Sequence, residues 1–157
     1  MTPDYNWSAV SYGSAENKMT IEHRNVEGLA APPGYTHLAI ADGARLIFVA
    51  GQVPLDREGN LVGRDNPVQQ GTQCLRNLAT CLAACGASLE DVVRTTVYVV
   101  PIDADSLGRV WQELLNSELG RALRTPATLV GVAQLGYAGQ LVEIECTVAA
   151  NASRPLP

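Results

Sequence analysis

Positive charge is scarce in this sequence. Its 157 residues include one lysine, Lys18, and ten scattered arginines against 16 acidic residues, which gives a formal net charge of −5. Binding to a nucleic-acid backbone requires clustered Lys and Arg, because much of the affinity comes from counterion release. The composition therefore predicts no nucleic-acid partner.

Long apolar runs and targeting signals are also missing. No stretch approaches the ~18 consecutive apolar residues of a membrane-spanning helix. The first residues lack the basic, then apolar, then small-residue order of a secretory signal. We expect a soluble cytoplasmic protein with no membrane partner.

Metal-binding cysteine pairs are absent from the sequence. The chain has four cysteines but no Cys-x-x-Cys pair, and both histidines lie far from them in sequence. Zinc sites usually show closely spaced ligand pairs. We therefore predict buried, reduced thiols that pack as small apolar residues, with no metal and no cofactor. The four cysteines are Cys74, Cys81, Cys85 and Cys146, and the two histidines are His23 and His37.

Apolar residues make up 46% of the chain, which is enough for a folded core. The length is that of one ordinary domain, which we place at residues 19–151, with a disordered extension at 1–18 and a flexible tail at 152–157. Charged residues reach only 17%, below the usual ~25%. This low charge favours self-association, because it indicates that the domain buries more surface than one chain can.

Periodicity and turn signals predict an α+β domain with the order β-β-β-α-β-α-β-β. The first helix has the clearest bounds: Asn66 is its N-cap, Pro67 its first residue and Gly86 its exit. Asp42 and Gly43 predict a hairpin between the second and third strands. The predicted strands cover 21–26, 36–41, 45–51, 92–100, 125–133 and 140–150, and the second helix runs from near Asp103 or Asp105 to before Gly120.

One face of the predicted mixed six-stranded sheet is left uncovered, because two helices can pack on only one face. That face must meet water or another subunit. Side chains alternate along a strand, so the residues of the last two strands divide between the two faces. The uncovered face is predicted to hold Leu141, Glu143, Glu145 and Thr147 with Ala127, Leu129 and Gly131, whereas Thr128, Val130 and Val132 are assigned to the core.

Five segments carry a resemblance: AGQVP at 50–54, NL at 77–78, SLEDVVRTTVYV at 88–99, VGVAQL at 130–135 and VEIE at 142–145. In this order, they resemble the reactive intermediate deaminase (Rid, or YjgF-like) family. The resemblance implies a chorismate-mutase-like α+β fold assembled as a homotrimer, with clefts between subunits. Its deaminating members hydrolyse enamines and imines such as 2-aminoacrylate to the keto acid and ammonia. Other relatives degrade pyrimidines or aromatics, or are described as ribonucleases.

The resemblance also shows a missing side chain. Deaminating members hold the substrate carboxylate with an arginine, whose planar guanidinium donates two parallel hydrogen bonds. Aligned from VGVAQL, this chain has Ala127 at that position; aligned from the preceding proline, it has Thr128. Neither is a cation. Arg121, Arg124 or an arginine of a neighbouring chain would have to replace this clamp.

Other family positions are partly retained. Glu143 matches the acidic site residue and Tyr35 the aromatic near the first strand, whereas the family's site cysteine becomes Leu129 or Val130 and an asparagine of the second helix becomes Gly108. Glu143 is either a general base that activates water or a strand residue paired with an arginine of the next subunit. Tyr35 either stacks on a planar substrate or fills the subunit edge. The predicted substrate-binding residues are Tyr35, Ala127, Thr128, Leu129, Gly131 and Tyr137.

Several further residues are interpreted as structural. Trp111 lies in a helical apolar stripe, Glu145 is expected to form structural pairs, and His37 is expected to be structural rather than catalytic. Gln52 and Asn77 are polar residues in apolar surroundings, so we expect their amides to pair with the backbone.

Two classes of function fit these observations. The first is a trimeric enzyme that binds a small planar metabolite in its clefts and hydrolyses or tautomerises an enamine or imine. The second is a non-catalytic metabolite-binding or interaction protein that keeps the trimer and its clefts. A ribonuclease is a distant third, since the chain is acidic and has one lysine.

Overall fold

A computed structural model describes residues 19–151 of the chain. The predicted extension at 1–18 and tail at 152–157 lie outside the described residues. The strands and helices follow the predicted order. The strands are β1 Thr20–Arg24, β2 Leu38–Asp42, β3 Ala44–Gln52, β4 Val92–Val99, β5 Ala127–Gly131 and β6 Val142–Asn151; the helices are α1 Pro67–Ala84 and α2 Ser106–Leu115.

Helix α1 begins and ends where the sequence predicted. The Asn66 side chain accepts a hydrogen bond from the Gln69 amide at 3.1 Å, and Pro67 is the first helical residue. Proline fits there because its missing N–H would have no partner within the helix. Gly86, with a φ of +70°, then turns the chain out of the helix.

The six strands form two sheets rather than the single sheet that we predicted. Strands β1 and β2 pair with each other, and the four-stranded sheet has the order β3-β6-β4-β5, in which only β4 and β5 are parallel. The predicted hairpin at Asp42 and Gly43 is wrong. Gly43 is the single residue between β2 and β3, whereas the tightest common hairpins need a two-residue loop. The chain therefore bends at Gly43, with a φ of +62°, and the two strands separate.

Both helices pack against one face of the four-stranded sheet, and the core lies between them. Strand β6 alternates as predicted, with Val142, Ile144 and Val148 fully buried. Helix α1 approaches α2 closely at Gly71, where a Cβ atom would lie 2.6 Å from a Leu114 methyl carbon. The other large side chains of this core are Leu75, Leu78, Leu82, Val92, Val97, Val99, Val110, Trp111 and Leu123.

Truncating the core is expected to destabilise the protein. Leu75 is fully buried, so Leu75→Ala should lower the free energy of unfolding by about 2–5 kcal/mol through lost transfer energy and the cavity left behind. Urea denaturation followed by circular dichroism measures this. Leu29→Ala is the matched control, since Leu29 is 60% exposed and should change stability by about 0.5 kcal/mol or less. Equal losses in both variants would contradict this assignment of the core.

The faces of β5 are opposite to those that we predicted. Strand pairing places Val130 beside Tyr98, and Tyr98 beside Glu143, so these three share a face. Thr128 lies on that face as well, whereas Ala127 and Leu129 pack against the core. The segment 127–131 does not alternate in polarity, so its pattern left the orientation undetermined, and a shift of one residue reverses every side chain.

The side of the four-stranded sheet away from the helices is called the open face below. It carries two exposed apolar side chains on β3, Leu46 at 55% and Phe48 at 77% exposure. Its other members, by strand register, are Arg94, Thr96, Tyr98, Thr128, Val130, Glu143, Glu145 and Thr147.

Candidate functional site

Glu143 is held by contacts on both sides of its carboxylate. The Gln140 amide nitrogen donates a hydrogen bond to Oε2 at 3.0 Å. The other oxygen, Oε1, lies against Gly51, where a Cβ atom would come within 1.9 Å of it. A register shift between Val49 and Gln52 accompanies this close approach of β3 to β6. Within residues 19–151 no hydrogen bond reaches Oε1.

A second carboxylate on the open face is already engaged. The Tyr98 hydroxyl donates a hydrogen bond to Glu145 Oε1 at 2.9 Å. This bond, with partial burial and the nearby carboxylate charges, raises the pKa of Tyr98 above its ordinary value, because it stabilises the protonated phenol. Glu145 therefore makes a structural pair, as predicted, and Glu143 is the carboxylate of this face that a buried amide holds.

The Cys74 thiol lies close to the strand that carries Glu143, but it is unreactive. Cys74 Sγ contacts the Val142 carbonyl oxygen at 3.6 Å. Burial, and secondarily the charge of Glu143, raises the pKa of Cys74 well above its ordinary value. Burial likewise raises the pKa of Cys146 to about 12. These thiols stay protonated near neutral pH, which removes them as nucleophiles.

All four cysteines are free thiols. The prediction of burial is confirmed for Cys74 and Cys146, whereas Cys81 and Cys85 are only partly buried.

Three of the predicted ligand-binding residues gather on the helix side of the sheet rather than on the open face. Tyr35, Ala127 and Leu129 line an apolar cavity of about 110 Å³ with Pro33 and Trp111. The Tyr35 ring packs edge-on against Trp111, with ring centroids 6.3 Å apart. This cavity lies on the helix side, so these residues do not share a surface with Glu143 within one chain.

The remaining predicted ligand-binding residues are divided between other places. A Cβ atom on Gly131 would contact Leu107 of α2 at 3.4 Å, so Gly131 also faces the helices. Tyr137 is 52% exposed in the turn before β6, and its backbone amide donates to Gln140 Oε1. Thr128 is the predicted residue of β5 that shares the open face with Glu143.

Arg121 and Arg124 lie outside the surroundings of Glu143 in the described chain. Arg121 forms an exposed ion pair with Glu90. Both arginines precede β5 in the sequence. Arg121 and Arg124 line a groove of about 910 Å³. The positive side chain on the open face is Arg94, which lines a cavity of about 210 Å³ with Phe48 and Glu145. Arg94 lies two residues along β4 from Thr96, the strand neighbour of Thr128, a strand length of roughly 7 Å. Its place on this face was not predicted from the sequence.

The polar residues interpreted as structural make structural contacts. The Asn77 amide donates to the carbonyl oxygens of Val53 and Leu55, both at 2.9 Å. The Gln52 amide donates to the Ala50 carbonyl, and His37 Nδ1 accepts from the Val26 amide at 3.0 Å. The backbone roles predicted for both amides are confirmed.

Residues 19–151 contain no cluster of three or more His, Cys, Asp or Glu side chains placed to hold a metal ion. Neither helix in this part of the chain has the length and apolar character needed to cross a bilayer.

The fold is an α+β fold shared with solved Rid proteins. A crystal structure of the Rid-family protein YyfB from Yersinia pestis, itself of unknown function, superposes with a TM-score of 0.71 at 28% identity, covering 82% of this chain and 98% of that one. The model of the family described as endoribonuclease L-PSP matches residues 27–150. The chain belongs to this family, the Rid or YjgF-like proteins, as its sequence motifs indicated.

Two named relatives illustrate the range of similarity. The RutC family protein slr0709 of Synechocystis is 31% identical over 130 residues, covering 82% of this chain and 95% of the relative. A human protein named 2-iminobutanoate/2-iminopropanoate deaminase is 26% identical over 99 residues, covering 60% and 71%. The chain spans only 53% to 57% of the length of several other RutC family relatives, at 36% to 37% identity.

Proposed function

We propose that this protein is a Rid-type hydrolase that converts small planar imines and enamines to carbonyl compounds and ammonia. Glu143 is the general base. The observation that carries the proposal is its carboxylate geometry: Oε2 is held by Gln140 at 3.0 Å, and Oε1 is free beside Gly51. A carboxylate positioned in this way can take a proton from a water molecule. The human relative named as an imine deaminase supports the same chemistry.

The proposed reaction needs only water and one proton carrier. Glu143 accepts a proton from water as the water oxygen bonds to the imine carbon, and the imine nitrogen takes up a proton from solvent. The resulting carbinolamine loses ammonia as the carbon–nitrogen bond breaks: the proton held by Glu143 goes to the departing nitrogen, and the carbinolamine hydroxyl returns a proton to solvent as the C=O bond forms. An enamine first becomes an imine through protonation of its β-carbon. The balance is R₂C=NH + H₂O giving R₂C=O + NH₃.

The missing cation selects the class of substrate. The register places Thr128 and Val130 on the face of Glu143, so these two neutral residues stand where the family resemblance expects the arginine and the cysteine. A substrate carboxylate would find no guanidinium fork there. We therefore propose that neutral or weakly anionic imines are preferred over 2-aminoacrylate.

The open face is proposed as the contact between three copies of this chain. Leu46 and Phe48 expose apolar surface on it, and an apolar patch beside polar groups is typical of a protein contact. Pairing of this face with sister chains would enclose Glu143 in an interfacial cleft. Family membership and this exposed surface together support the proposed trimer and its clefts.

Two substrates and two variants test the proposed function. A neutral imine, formed in situ from an amine and an aldehyde, should be hydrolysed faster with protein than without it, and Glu143→Gln should remove the difference. 2-Aminoacrylate decay should be accelerated much less. Thr128→Arg should then raise kcat/KM for 2-aminoacrylate by about tenfold or more, since a hydrogen bond to a charged group contributes ~1.5–3 kcal/mol. Wild-type rates on 2-aminoacrylate that match those on the neutral imine would contradict the proposal.

A non-catalytic metabolite-binding protein is the second candidate, and the neutral residues on β5 favour it. Both candidates predict that a ligand raises the melting temperature by mass action. Only an enzyme consumes the ligand. A thermal-shift screen of wild type and Glu143→Ala, with product analysis of each hit, separates the two.

A further inference from the structure

Gln140 is a buried amide in the turn before β6, with 3% of its surface exposed. Its nitrogen donates to the Val142 carbonyl at 3.2 Å and to Glu143 Oε2 at 3.0 Å. Its oxygen accepts a hydrogen bond from the Tyr137 amide at 3.1 Å. The side-chain nitrogen and oxygen of Gln140 therefore both have hydrogen-bond partners.

The partners also fix which way the amide points. A flipped amide would place its oxygen against the Val142 carbonyl and the Glu143 carboxylate, and its nitrogen against the Tyr137 N–H. All three contacts would then be repulsive, because acceptors would face acceptors and a donor would face a donor. The nitrogen is thus directed at Glu143 by the backbone of the turn.

A second buried glutamine anchors the same turn without touching Glu143. Gln70 of α1 is fully buried, its nitrogen donates to the Gly139 carbonyl at 2.8 Å, and its oxygen accepts from the Leu141 amide at 2.6 Å. Gln70 therefore fixes the backbone that carries Gln140. It provides a matched comparison, since both residues are buried amides bonded to this turn.

We propose that Gln140 is the positioning residue of this site. By holding Oε2 of Glu143, it leaves Oε1 as the oxygen presented beside Gly51 to water or ligand. This inference rests on the proposed function, in which Glu143 is the base. Gln140 was not singled out by the sequence, because one polar residue in a turn has no periodic signal.

Kinetics of three variants test this role. Gln140→Leu should lower kcat for the neutral imine by about 10- to 100-fold, as expected when a reacting group is misplaced by about 1 Å, with KM within about twofold. Gln140→Glu should not restore kcat, because it keeps the acceptor for Tyr137 but has no N–H for Glu143. Gln70→Leu should lower the melting temperature and should lower kcat by less than Gln140→Leu does, because it loosens the turn but keeps the amide that bonds Glu143. A Gln140→Leu protein with wild-type kcat, or a Gln140→Glu protein as active as wild type, would overturn the role.

An activity-independent measurement tests the contact itself. In ¹⁵N NMR spectra, the Gln140 side-chain amide signals should move when Glu143 is replaced by glutamine, because the carboxylate that they contact is lost. They should stay in place in Glu145→Gln, since Glu145 is bonded to Tyr98 instead. Signals that move equally in both variants would refute the contact.

The two proposals fail in different ways. If Glu143→Gln is inactive and Gln140→Leu is fully active, the positioning role is wrong and the proposed function stands. If Glu143→Gln keeps the wild-type kcat, the proposed function is wrong and so is the catalytic part of the positioning role.

Discussion

Replacing Phe48 by glutamate is expected to convert a trimer into monomers. Phe48 is 77% exposed on the open face, and Thr147 is its cross-strand neighbour there. In the proposed trimer, a sister chain covers this ring. A carboxylate at position 48 would lose its hydration there without gaining a partner, and buried unpaired charge is costly. Loss of a central aromatic anchor alone typically costs at least about 2 kcal/mol per interface.

Sedimentation velocity measures the outcome directly. Wild type should sediment as a trimer of a 16.7 kDa chain, and Phe48→Glu as a monomer with unchanged far-ultraviolet circular dichroism. Ile102→Glu is the matched control, since Ile102 is 56% exposed but follows β4 in the loop before α2. It should remain trimeric. A monomeric wild type, or a trimeric Phe48→Glu protein, would place the subunit contact elsewhere or remove it.

Adding one methyl group at Gly51 is expected to abolish turnover while leaving the fold intact. A Cβ atom there would lie 1.9 Å from Glu143 Oε1 and 2.8 Å from its carboxyl carbon. Neither distance is possible, so the carboxylate must swing away. It can do so because it is the flexible end of a long side chain. This movement would break the hydrogen bond between the Glu143 carboxylate and Gln140. We therefore expect kcat to fall by about 100-fold or more, as for a misplaced catalytic group.

The control for Gly51→Ala is a second glycine in the same part of the fold. Gly136 precedes Tyr137 in the turn, and a Cβ atom there would meet nothing within 4 Å. Gly136→Ala should therefore keep wild-type kcat, and both variants should melt within a few degrees of wild type in a calorimetric scan. Full activity of Gly51→Ala would show that the position of Glu143 does not matter for the reaction. A large loss of stability would show that the backbone, rather than the carboxylate, gives way.

Part of the candidate site was predictable from sequence. Glu143 was assigned to the uncovered face because β6 alternates between buried apolar and more exposed polar residues from Val142 to Val148. Family motifs then marked it as the acidic site residue. Its partner Gln140 and its neighbour Gly51 were not predicted as such, because their roles depend on contacts between β3, β6 and the turn before β6.

The prediction for the aromatic residue Tyr35 shows a different limit. Tyr35 lies in the loop between β1 and β2, and its place is set by packing against Trp111 of α2. A loop of this length has no periodicity that fixes the direction of a side chain. Its contact with Trp111 brings Tyr35 to the helix side of the sheet, away from Glu143 within the same chain.

The sequence by itself determined where helices begin, which segments form strands and which stripe of each helix is buried. These properties depend on caps, spacing and alternation among residues that are close along the chain. Tertiary structure decided the separation of β2 from β3, the orientation of β5 and the contacts of Glu143. Each of these depends on strand pairing and side-chain fit between distant segments, where a one-residue change of register reverses a face without changing the local pattern.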